Sequence, residues 1–74
     1  MNKTEYLNKY FEVKESFGTL CCGKKFKAGE ILKVWKHPTK NRLWITIVKG
    51  DPVNSGHNVK RSTLNRCCEE VNYD

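Results

Sequence analysis

Apolar positions in this chain gather in short runs separated by turn-forming residues. Ile31, Leu32, Val34 and Trp35 form one run, and Leu43 through Val48 forms another. Both are rich in β-branched and aromatic residues, which predicts strands over 30–37 and 42–49. Pro38-Thr39-Lys40-Asn41 reads as the turn between them. Gly50-Asp51-Pro52 breaks the second strand, and Asn54-Ser55-Gly56 makes a loop before a short segment over 57–60. Upstream, Gly18 and Gly23 punctuate residues 17–23, and the stretch from Lys24 leads to a turn glycine at Gly29.

The two ends are less uniform in pattern. Asn2 and Glu5 have the spacing of a capping box, and Tyr6, Leu7, Tyr10 and Phe11 share one helical face. A short helix over 3–10 is expected, followed by an extended stretch in which Phe11, Val13 and Glu15 alternate with their neighbours. At the other end Leu64, Cys67, Cys68 and Val71 stand at i, i+3, i+4 and i+7, a helical stripe that Ser62 would cap. The competing reading makes residues 62–65 one helical turn and 66–71 a closing strand.

Phe26-Lys27-Ala28-Gly29-Glu30-Ile31-Leu32-Lys33-Val34 resembles a stretch of SH3-like barrels: an aromatic, two variable residues, Gly and an acid precede an alternating strand. Trp44 stands where the next strand of such barrels often opens with Trp. Gly56, then Val59-Lys60-Arg61-Ser62-Thr63-Leu64, then 67–71 follow in the same order. The resemblance covers residues 26–71 and implies a mainly-β, SH3-like small barrel, here with the short N-terminal helix. The alternative is an α+β fold with a helix over 63–71. It does not extend to recognition of proline-rich peptides. Tyr10-Phe11-Glu12-Val13 does not match the Ala-Leu-Tyr-Asp-Tyr-like stretch of those domains, and Lys60 and Thr63 stand where they carry Pro and Tyr. The remaining likeness is to basic SH3-like barrels that serve nucleic acids, ribosomes or protein assemblies, and a fold alone does not assign function.

A four-residue hairpin loop at 38–41 would pair His37 with Arg42, Trp35 with Trp44, Lys33 with Thr46 and Val34 with Ile45. Leu32, Val34, Ile45 and Ile47 then face a core. Trp35, Trp44, Lys33 and Thr46 face the other way, with Lys36, Lys40 and Arg42 around the turn. Rings that stack on bases beside cations that hold phosphates suit nucleic acid. Lys60 and Arg61 beside Arg66 form a second basic cluster. The same residues have plainer readings: tryptophans covering a second face of the core, solvated lysines, or a protein-binding hot spot.

Charge sharpens this picture. Fourteen Lys and Arg against eight Asp and Glu give the 74 residues a formal charge of +6. Residues 1–23 are balanced, 24–66 carry +9, and 67–74 carry −3. A localised excess of cations captures polyanions, although it also serves solubility. A chain this short buries only about 60% of its unfolded surface, so it forms a single domain with one thin core.

Catalytic and metal chemistry find little support. His37 and His57 are the two histidines, and neither a Walker-type loop nor a dinucleotide fingerprint is present. Cys21-Cys22 and Cys67-Cys68 lack the two-to-four-residue gap of chelating pairs, so they read as small buried hydrophobes rather than zinc ligands or disulfides. No signal peptide or apolar run of about 20 residues is seen, and a cytoplasmic location follows as the expectation. The composition thus points to a non-enzymatic binding module without cofactor, small-molecule substrate or membrane partner. Its expected partner is nucleic acid, single-stranded or duplex, contacted by Lys33, Trp35, Lys36, Arg42, Trp44, Lys60 and Arg61. The alternative is a small modulator, such as a viral accessory protein in a host cytoplasm, that docks on a larger protein.

Overall fold

A computed structural model describes residues 6–18 and 25–73. Seven strands and one α-helix follow in the order β1 (Tyr10–Val13), β2 (Phe17–Gly18), β3 (Lys25–Phe26), β4 (Ile31–Thr39), β5 (Arg42–Lys49), β6 (His57–Lys60), α1 (Arg61–Cys67) and β7 (Cys68–Val71). A 3-10 turn over Pro52–Asn54 links β5 to β6, with the Asp51 carboxylate accepting from Val53 N–H at 3.1 Å. The fold is mainly β, a curled antiparallel sheet ordered β6-β5-β4-β1-β7 plus a small hairpin of β2 and β3.

The core lies on the inward face of the sheet. Leu32, Val34 and Ile45 are completely buried, as alternation along β4 and β5 requires, and Ile47 packs against them. Phe11 and Val13 from β1, Leu43 from β5 and Val59 from β6 fill the same layer. Phe26 is fully buried and stacks on Phe17, its partner across the β2–β3 hairpin, at 4.8 Å between ring centroids. Each such side chain contributes about 1.5–3 kcal/mol by leaving water.

Both readings of the tail meet in the structure. Leu64 and Cys67 are buried on α1, but the helix stops there and Cys68 enters β7, which pairs along all of β1 from Val13↔Cys68 to Tyr10↔Val71. The backbone N–H and C=O groups of β1 need a partner on that side, and a continued helix would leave them without one. Ser62 does not cap: the helix starts two residues earlier than a Ser62 cap would set it, with Lys60 at the cap and no side-chain capping bond. Seven residues of uncapped helix have no independent stability, so α1 is held by Leu64 and Cys67 in the core.

The N-terminal segment differs from the expected helix. Residues 1–5, with Asn2 and Glu5, lie outside the described residues. Tyr6 to Asn8 form a turn, in which Lys9 N–H donates to Tyr6 O and Asn8 adopts a left-handed φ of 63°. Tyr10 then enters β1. Asn8 N–H donates to Val34 O and Val34 N–H to Lys9 O, so tertiary pairing with β4 overrides the local helical pattern. Cys21 and Cys22 also lie outside the described residues.

Candidate nucleic-acid interface

The β4–β5 hairpin determines which side chains reach the outward face. Lys33↔Thr46 and Val34↔Ile45 pair as the sequence predicts, but Trp44 pairs with Lys36 and Arg42 with Thr39. Two irregularities, between Val34 and Lys36 and between Lys36 and Thr39, each take up one extra residue of β4. Pro38 lies in the second; lacking an N–H, it cannot join the ladder. The strand therefore runs on to Thr39, and the turn contracts to Lys40 and Asn41. Trp35 occupies the first irregularity as the unpaired residue.

The tryptophans still meet. Their ring centroids are 5.5 Å apart with planes at 85°, an edge-to-face pair. Trp35 is 43% exposed, and Trp44 is half-buried with the Lys36 ammonium 5.6 Å from its ring centroid. Perpendicular planes cannot both stack on successive parallel bases. The geometry gives one stacking surface on Trp35, with Trp44 as its buttress.

Rows across the sheet extend this surface. Tyr10, Lys33 and Thr46 are aligned on β1, β4 and β5, facing away from Phe11, Leu32, Val34 and Ile45. The Lys33 ammonium sits 5.6 Å from the Tyr10 ring, and Tyr10 contacts Tyr73 at 5.7 Å. Neither Tyr10 nor Tyr73 stands out in the sequence. Tyr10 fits a helical face locally, and only the pairing of β1 with β4 and β7 turns it outward. The alternation of Tyr10 with Phe11 and Val13 was the available signal.

The second basic cluster joins the first through Arg42. Arg42 is the cross-strand partner of Lys60, and Trp44 that of Asn58. Arg42 also donates to Asn58 Oδ1 at 3.3 Å. A groove of about 550 Å³ opens beside them, lined by Asn41, Arg42, Lys60, Arg61, Ser62 and Asn65. Arg61 stands with its guanidinium carbon 5.5 Å from the Tyr6 ring centroid, and Tyr6 Oη donates to Asn65 Oδ1 at 2.9 Å. Of the seven residues, Arg42, Lys60 and Arg61 line this groove, while Lys33, Trp35, Lys36 and Trp44 belong to the outward rows of β4 and β5. Arg66 is exposed on the last turn of α1 and does not line the groove.

Three acidic residues fall on β1 and β7, while Glu30 and Asp51 stand in the turns before β4 and after β5. Glu12 pairs with Glu69 across β1 and β7, Glu70 pairs with Lys9 at 3.6 Å, and Lys14 pairs with Glu12 at 3.2 Å. The sheet therefore has a basic side over β4–β6 and an acidic one at β7.

Residues weighed for chemistry have structural partners. Ser55 Oγ accepts from Ile47 N–H at 2.9 Å, and His37 Nδ1 donates to the Thr39 carbonyl at 2.8 Å. Cys67 is buried in the core and Cys68 is half-buried on β7. Burial, and then the neighbouring Cys67, push the Cys68 thiol up from about 9 to about 12. Among the described residues no group of three His, Cys, Asp or Glu side chains is placed to hold a metal, and no helix is long and apolar enough to cross a membrane. Comparison with family models, curated proteins and solved structures finds no match to this chain.

Proposed function

We propose that this chain is a non-enzymatic, SH3-like binding module that holds single-stranded nucleic acid on the outward face of its sheet. The pairing of the first strand with the last, and Gly29-Glu30 leading into β4, support the SH3-like reading. The observation that carries the function is the Trp35–Trp44 pair, one ring exposed and the other braced, with Lys33, Lys36 and Arg42 on the same face. Cations there hold phosphates, and Trp35 takes the face of one unstacked base. A paired duplex offers no such base face, which is why a single strand is favoured.

The test is oligonucleotide affinity in two single variants. Trp35→Ala loses about 1–3 kcal/mol, the worth of one stacked base. Trp44→Phe keeps a ring against Trp35 and loses less. Unchanged affinity in a folded Trp35→Ala protein removes the stacking role.

A second reading rests on the same exposure of Trp35, since a tryptophan among cations is also a common protein hot spot. A protein partner recovered from nuclease-treated extract, and lost with Trp35→Ala, would favour it.

A further inference from the structure

We infer that the groove between β5, β6 and α1 is a discrete phosphate-binding site, the fixed point from which a nucleic-acid strand runs toward Trp35. This rests on the nucleic-acid reading for its biological ligand, but the chemistry of the groove stands by itself. Three cationic side chains, Arg42, Lys60 and Arg61, line it together with the neutral side chains of Asn41, Ser62 and Asn65. No carboxylate of a described residue lines it. Amide and hydroxyl donors beside guanidinium and ammonium groups match the oxygens of a phosphate.

A second observation separates this groove from an ordinary solvated basic surface. Arg42 and Lys60 are direct partners in the β5–β6 ladder, where like charges repel across a short Cβ–Cβ distance of about 5 Å. Neither ion pair between described side chains includes them. The fold thus holds two positive charges side by side at a cost in stability, which an anion seated between them relieves. Arg61 is fixed by its packing on Tyr6, so the groove is partly organised before a ligand arrives.

Two sources supply the same chemistry: an internal phosphodiester and a terminal phosphomonoester. The experiment is a nitrogen-15 NMR titration of the full chain with sodium phosphate, against sodium chloride at matched ionic strength. Phosphate should give saturable shifts confined to the amides of 41–42 and 60–65, and Trp35 should stay still. Lys60→Gln should weaken the phosphate response by about tenfold, and Lys49→Gln, outside the groove, should leave it intact. Lys60→Gln should also raise the thermal midpoint without phosphate, because it removes the like-charge pair. Shifts equal to those in chloride, or spread over all lysines, would overturn the site, as would a lower midpoint for folded Lys60→Gln.

Oligonucleotides with and without a 5′-phosphate then separate the sources. A loss of affinity without it assigns the terminal group, and equal affinity assigns the backbone. Failure of the two readings is distinguishable. Phosphate binding without oligonucleotide binding leaves the groove and removes the nucleic-acid function. Oligonucleotide binding without a focused phosphate response does the reverse.

Discussion

Glu30 and Gly50 make the most consequential residue-level contact away from the interface. The Glu30 side chain is buried, and its two oxygens accept from Lys27 N–H at 2.9 Å and Asp51 N–H at 3.0 Å. One carboxylate thereby ties the turn before β4 to the turn after β5. Gly50 has φ +136°, and a Cβ there would stand 2.6 Å from the Glu30 carboxylate. We expect Glu30→Ala to cost about 3 kcal/mol, since it leaves two N–H groups without a charged acceptor. Gly50→Ala should cost at least ~1 kcal/mol. Urea denaturation measures both, and a Glu30→Ala loss under ~0.5 kcal/mol would refute the bracing role. The contact joins residues twenty apart, so the sequence displayed its acid and its glycine but not their meeting.

Cys68 gives a residue-level prediction in pH. Its folded pKa lies above the ordinary value, so the folded state keeps the proton that the unfolded chain releases. The associated stability is whole below pH 9 and is lost as pH rises from about 9 toward about 12. At pH 8.5 iodoacetamide should label Cys68 far more slowly in the native protein than in urea, read by fragment mass spectrometry of the tryptic peptide beginning at Cys67. Equal rates would mean that the thiol is not desolvated.

Among the elements, α1 and β4 separate what local pattern encodes from what the fold imposes. Leu64 and Cys67 were legible as a helical pair, but the termination of the helix depends on β1 needing β7 beside it. Leu64→Ala should cost about 2–5 kcal/mol through the cavity it leaves. Ser62→Ala should change stability by less than ~0.5 kcal/mol, because this hydroxyl caps nothing. A large Ser62→Ala effect would contradict the assigned helix start. In β4 and β5, period-two alternation identifies Leu32, Val34 and Ile45 as core and brings the two tryptophans together. It could not place the irregularities that leave Trp35 unpaired, because a bulge arises in the pairing of two strands and not in either alone. The place of Tyr10 is hidden for a related reason: its segment fits a helical face locally, and only contact with β4 decides otherwise.

At the scale of the whole molecule, the described residues carry a basic excess over β4–β6, and Glu12, Glu69 and Glu70 lie on β1 and β7 at the other side of the sheet. On the proposed function, a strand steered by that field would meet the cations of β4–β6 first. Binding should therefore weaken as salt is raised, and it should retain a component from stacking that salt does not remove. The most direct measurement is fluorescence anisotropy of labelled single-stranded and duplex oligonucleotides, titrated with the protein at low and physiological salt. The account predicts binding that survives physiological salt, favours the single strand and falls in Trp35→Ala. Weak binding that is indifferent to strand form and vanishes with salt would contradict it, reducing the +6 charge to general electrostatics.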